Sequence, residues 1–176
     1  YYTDGVDITP DEIIARVNQG ASLPKTAAVN ASEYREGFLE ALKDCDAVLH
    51  FAISSEMSCS WQNACLGAED LPVYCIDSRS LSSGIALLLA EAADMAEEGM
   101  DAAKIAAKLS EIREKLDVSF ILDRLDYLYK GGRCSMVAML GANALHLKPC
   151  IELHEGKMGV GKKYRGAYER CEAVCS

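Results

Sequence analysis

The stretch DAVLHFAISSEMSCSWQNACLGAEDLPVYCIDS, residues 46–78, holds two apolar runs with a helical pattern between them. DAVLHFAIS and PVYCIDS are apolar almost without interruption, as expected of strands covered on both faces. SCSWQNACLGAED between them reads as a helix. Strand, helix and strand in that order predict a parallel sheet with helices on its faces, because parallel neighbours need a crossover.

Four serines fall where the first strand hands over to the helix, at Ser54, Ser55, Ser58 and Ser60. In an open parallel sheet, ligands bind beyond the carboxyl ends of the strands. A helix N-terminus there offers free N–H groups and partial positive charge, which suit a carboxylate or a phosphate. Ser58 therefore has three readings: a helix cap, an anion donor, or a nucleophile. The nucleophile reading lacks a G-x-S-x-G elbow and a histidine partner, since His50 falls on the strand itself and His146 and His154 fall in the later lobe. Neither G-x-G-x-x-G after a strand nor a P-loop occurs, so dinucleotide and nucleotide binding have no support. Thr26, in the extended-looking LPKTAAV, is a second hydroxyl just before a helix. If that piece is also a parallel strand, Thr26 and Ser58 emerge at one edge and suit an anion. The alternative for Thr26 is a plain loop residue.

Working outward, Thr9, Pro10 and Glu12 form a capping-box start for a helix that Gly20 ends, and Asn30 with Glu33 starts a second. LSSGIALLLAEAADMAEEG and MDAAKIAAKLSEIREKL are two further helices. The latter places Ile105, Leu109, Ile112 and Leu116 on one face. After Leu116 the grammar changes. VSFILDRLDYLYKGGRCS reads as a strand, a short helix and a glycine turn. MVAMLGANALHLKPCIELHEGKMGVGKKYRGAYERC reads as a helix, strands around a hairpin at HEGKM, and a helical end. This gives an α/β fold in two lobes: residues 1–116, expected to lack an N-terminal strand, and residues 117–176, expected to lack the end of the second lobe. Arg133 after the two glycines either binds an anion or follows a plain helix C-cap. Lys162, Lys163 and Arg165 read as a basic helix start or as a docking patch.

The chain has 176 residues and a net charge of −9, and no Lys/Arg-rich run, which argues against a nucleic-acid groove. No apolar run reaches the roughly 18–20 residues of a membrane span. The eight cysteines carry no C-x-x-C, and no histidine stands at ligand spacing from them. They read as buried, reduced thiols of a cytoplasmic protein, with no metal site.

Seven stretches, in order, resemble the DegV family of bacterial fatty-acid-binding proteins, which includes the FakB subunits of fatty acid kinase. YYTDGVDITPDEI resembles its Y-x-D-G-x-D-I opening, LPKTA its P-x-T-S segment, and ISSEMSCSWQNA its I-S-S-x-L-S-G-T-Y-Q-S-A. VYCIDSRSLSSGIALLLAEA is similar to V-I-D-S…S-x-G-x-G. LDYLYKGGRCS is similar to L-x-Y-L-x-K-G-G-R-I-S, the most specific of the set. LHLKPCIELHEGKM and KKYRGAY resemble N-I-K-P-I-L…D-G and K-x-R-G. The resemblance implies a two-lobed α/β protein without catalytic residues or cofactor. A long-chain fatty acid would be buried between the lobes and its carboxylate presented to a separate acyl kinase. It implies that Thr26 and Ser58 hold the headgroup, with Ser55 and Cys59 beside them and Arg133 and Arg165 on the headgroup or partner side. The chain departs from the pattern at Ala27, where a serine is expected, at Cys59, where a glycine is, and at Trp61, where a tyrosine is. Two other readings stay open: a small-molecule α/β enzyme using Ser58 as nucleophile or phosphate anchor, and a lipid sensor without a kinase partner.

Overall fold

The computed structural model describes residues 2–3, 5–122, 125–133 and 147–165. Its elements run α1 (Pro10–Asn18), α2 (Ala31–Ala41), β1 (Val48–Ala52), α3 (Ser60–Gly67), β2 (Val73–Asp77), α4 (Ser82–Glu97) and α5 (Ala102–Ile112). A 3-10 turn at Arg113–Lys115 leads to β3 (Ser119–Ile121), α6 (Asp126–Lys130), β4 (Leu147–His154) and β5 (Lys157–Arg165).

Strands β1 and β2 pair in parallel, with Val48 opposite Val73 and Ala52 opposite Asp77, and α3 forms the crossover. Alternation along the strands supplies both faces. Leu49, Phe51 and Ile76 pack against Leu88, Ala92 and Met95 of α4 and Ile105 and Leu109 of α5. Val48, Val73 and Cys75 pack against Phe38 of α2 and Ala64 and Ala68 in and after α3. The result is a helix–sheet–helix sandwich, the mixed α/β architecture that the strand–helix–strand pattern predicts.

The second sheet is antiparallel, in the order β3–β4–β5. A two-residue turn at Glu155 and Gly156, both with positive φ, joins β4 to β5. That turn matches the right-handed twist of its strands. Leu125 and Ile151 are buried, and Phe120, Leu122, Leu128, Met158 and Val160 gather around them.

Both capping boxes form: Glu12 N–H donates to Thr9 Oγ1, and Glu33 N–H to Asn30 Oδ1. Ile105 and Leu109 are buried as the α5 periodicity requires; Ile112 and Leu116 pack beside them, Leu116 after the helix has ended. The glycine pair ends α6. Gly132 takes φ +77°, its N–H reaches Tyr129 O, and Arg133 N–H reaches Leu128 O. This is a Schellman closure.

Four expectations need correction. Residues 21–30 contain no strand, so Thr26 lies on an irregular exposed segment and not at a sheet edge. Strand β1 is only partly buried, because β2 is its sole partner among the described residues. Lys162, Lys163 and Arg165 lie on β5 and not on a helix start, since pairing with β4 carries the hairpin through Arg165. The thiols are not uniformly buried: Cys45 and Cys59 are exposed, Cys65 and Cys75 half-buried, and Cys150 buried. The helix expected before β4, the helical end after Arg165, and Cys134, Cys171 and Cys175 lie outside the described residues.

Candidate functional site

The carboxyl ends of β1 and β2 stand side by side at Ala52 and Asp77, and the serine-rich segment 53–59 leaves from there. Met57 and Ser58 N–H groups both donate to Ser54 O, at 2.9 and 3.2 Å, which coils the segment into a compact turn before α3.

Two serines anchor this turn. Ser54 is fully buried; its Oγ donates to Gly156 O at 2.7 Å, tying the turn to the β4–β5 hairpin. Ser55 donates twice to Asp77, from its N–H to Oδ1 at 3.1 Å and from its Oγ to Oδ2 at 2.6 Å. Asp77 Oδ1 also accepts from Arg79 N–H at 3.1 Å. The Asp77 carbonyl accepts from the Arg113 guanidinium at 2.7 Å. A carboxylate this deeply buried needs several donors, and these supply them.

The other two serines stand at the foot of α3. Ser58 Oγ and Ser60 Oγ are 2.8 Å apart, and Ser60 N–H donates to Ser58 Oγ at 3.2 Å. Cys59, not Ser58, occupies the N-cap position, and it makes no side-chain cap bond. A helix leaves its first N–H groups without intrahelical partners. Ser58 takes the one at Ser60. Those of Trp61 and Gln62 make no hydrogen bond among the described residues.

Beside the turn lies a cleft of about 820 Å³. One wall is Glu56 and Met57 of the serine turn. The other is Leu128 of α6, Ile151 of β4, and Met158, Gly159 and Val160 of β5. Gly132, Arg133 and Lys157 complete the lining. Arg133 sits where the Schellman turn aims it. Its guanidinium donates to Met57 O at 3.2 Å and to Gly131 O. Lys157 Nζ lies 3.3 Å from Glu56 Oε2 across the rim. The cleft therefore sets an apolar wall of Leu128, Ile151, Met158 and Val160 against the charged groups of Glu56, Arg133 and Lys157.

Of the residues singled out in the sequence, Ser55, Ser58 and Cys59 belong to this turn and Arg133 bonds to it, and only Arg133 lines the cleft. Thr26 is exposed and does not line the cleft, although Asn63 of α3 holds its segment through Val29 O at 2.7 Å. Arg165 is exposed near the far end of β5, roughly 16 Å along the strand from Val160, and does not line the cleft. Among the described residues no base meets Ser58. His50 lies on β1 against the rings of Tyr34 and Phe38, and His154 pairs with Glu152 at 3.2 Å. The reading of the sequence missed Asp77, Glu56, Met57 and Lys157. Asp77 carried a signal, since an acid ending a buried strand beside a serine run must find donors. No group of His, Cys, Asp or Glu among the described residues is arranged to hold a metal ion. No described helix is long and apolar enough to cross a membrane.

A parallel sandwich and an antiparallel hairpin sheet, meeting around a cleft at the strand ends, define a two-lobed α/β protein. The chain belongs to the DegV family: the model for uncharacterised proteins of that family matches residues 1–176. A Thermotoga maritima protein named as a fatty acid-binding protein is 30% identical over 173 residues, which cover 94% of this chain and 60% of that one. The structure of a fatty-acid-binding DegV family protein from Thermus thermophilus superposes with a TM-score of 0.84 at 30% identity, over 99% of this chain and 63% of that one. A stearic acid-binding protein from Eubacterium ventriosum superposes with a TM-score of 0.83 at 30% identity, over 99% and 62%. The chain thus spans 60% to 63% of the length of these relatives.

Proposed function

We propose that this chain binds a long-chain fatty acid, with the tail in the cleft and the carboxylate at the foot of α3. The observation that carries this is a cleft with an apolar wall whose other wall, Glu56 and Met57, runs directly into the Ser58–Ser60 hydroxyl pair at the foot of α3. Leu128, Ile151, Met158 and Val160 give the tail its wall. Each CH₂ taken from water contributes about 0.8 kcal/mol, so an alkyl chain supplies most of the affinity. The headgroup site has only to orient the carboxylate. The N–H groups of α3, Ser58 and Ser60 suit that task, with Ser55 and Cys59 shaping the turn. Arg133 donates to backbone carbonyls, so it lends positive potential beside the headgroup without clamping it. Relatives described as binding fatty acids support the same reading.

In this reading residues 1–116 are the first lobe and 117–176 the start of the second. Thr26 is brought to the headgroup through its tethered segment, and Arg165 belongs to a partner-facing side. The protein is a non-catalytic cytoplasmic carrier that offers the bound carboxylate to a separate acyl kinase. Ser58 lacks a base among the described residues, which favours the carrier over the enzyme.

The test is organic extraction and native mass spectrometry of the purified protein. A co-purifying fatty acid of about 14 to 18 carbons is expected. The Ser58→Ala protein should fold normally and bind the acid about tenfold more weakly. Unchanged affinity in that variant removes Ser58 from the site. A kinase role requires ATP-dependent acyl phosphate formation from the loaded carrier and a separate kinase subunit.

A further inference from the structure

We propose that Asp77 is the positioning residue of the carboxylate site, acting through Ser55 and never touching the ligand. The inference rests on the fatty-acid reading above. Asp77 ends β2 directly opposite Ala52, the last residue of β1, so it stands at the root of the serine turn. Its carboxylate takes the Ser55 N–H and the Ser55 hydroxyl on two separate oxygens, and the Arg79 N–H on one of them. Both donor groups of Ser55 are thereby pulled inward. The next backbone groups then close on Ser54 O, and the chain arrives at Ser58 aimed into α3.

Two further observations make this a dedicated support. Arg79 adopts φ +47°, in the left-handed region that a side-chain-bearing residue rarely visits, and its N–H bond to Asp77 belongs to that geometry. Its guanidinium is then held by Glu114 at 3.1 Å, while Arg113 grips the Asp77 carbonyl. The acid is thus fixed from its side chain and its backbone. Its oxygens are also met by three donors before any ligand arrives, so it has no need to draw on the donors at the foot of α3. An amide keeps only part of this: its nitrogen reverses the bond to the Ser55 hydroxyl, donating where the carboxylate accepted, and the charge is lost.

The experiment compares stearic acid with 1-octadecanol, which shares the chain and lacks the carboxylate, on the wild-type, Asp77→Asn and Ser55→Ala proteins. In Asp77→Asn, affinity for the acid should fall about tenfold while affinity for the alcohol stays within about twofold. Ser55→Ala removes the hydroxyl half of the same link while keeping its N–H bond, and should show a selective loss for the acid even if Asp77→Asn does not fold. Equal losses for acid and alcohol in the variant that folds would mean that Asp77 supports the fold alone, and would overturn the inference. So would unchanged affinity for the acid. A wild-type protein that binds neither probe overturns the fatty-acid reading and this inference with it. A wild type that binds both, with no selective loss in the variants, overturns this inference alone.

Discussion

His50 shows how one side chain sets a pH response. Its ring lies edge-on to Tyr34 and Phe38, with centroids 5.2 and 5.3 Å away, and its Nε2 is buried without a hydrogen-bond partner among the described residues. Burial lowers its pKa below 6.5, because the charged ring loses hydration and gains nothing in return. The sign follows from linkage. Above pH 6.5 the ring is neutral in the folded and unfolded chain alike. As pH falls below 6.5 the unfolded chain takes up a proton that the folded one resists, so stability is lost until the folded pKa is reached. The denaturant midpoint should therefore drop between pH 7.5 and 5.5, and His50→Phe should flatten that drop. Parallel pH slopes for the two proteins would show that His50 contributes nothing to it. The half-buried Cys75 thiol is pushed up to about 12 by burial and by its neighbour Cys65, so it stays an unreactive thiol at neutral pH.

Elements whose signals are local were readable in advance. Thr9 with Glu12, and Asn30 with Glu33, satisfy their own helix ends within four residues, and nothing distant is needed to form them. Elements that depend on partners were not. An extended piece such as residues 23–29 becomes a strand only where a neighbour takes its hydrogen bonds. The basic run at 162–165 lies on β5 because the hairpin supplies a ladder that local propensity does not reveal. The site followed the same division. Ser58 and Arg133 stood in recognisable runs, whereas the role of Asp77 exists only once Ser55 is folded over it. Packing between α2 and α3 gives a test at this scale. A Cβ on Gly67 would lie 2.7 Å from Ala31 O and 3.0 Å from Arg35 N, backbone atoms that cannot yield cheaply. Gly67→Ala should cost about 1–3 kcal/mol in urea denaturation, although alanine is the better helix former by about 1 kcal/mol. Gly37→Ala, with open space around it on α2, should instead stabilise by about 0.5–1 kcal/mol.

Across the molecule, the two sheets are joined at the serine turn by three kinds of contact: Ser54 with the Gly156 carbonyl, Glu56 with Lys157, and Arg133 with the Met57 carbonyl. The Glu56–Lys157 pair is exposed and contributes little on its own. The Ser54 bond is buried, and Gly156 is shaped for it. Its φ is +81°, and a Cβ there would lie 2.6 Å from Ser54 Oγ. Gly156→Ala should therefore lower stability by about 1–3 kcal/mol and weaken fatty-acid binding as well. Full retention of both, by denaturation and by titration with stearic acid, would mean that the junction is slack. Ser54 and Gly156 are 102 residues apart in the chain. During synthesis, at roughly 5–20 residues per second, several seconds separate the emergence of one from the other. In that interval β1, α3 and β2 have everything they need to assemble, but the Ser54 hydroxyl has no carbonyl to meet. The serine turn is thus the last piece of the parallel half to set, and a nascent chain completes the proposed binding site only after the hairpin has left the ribosome.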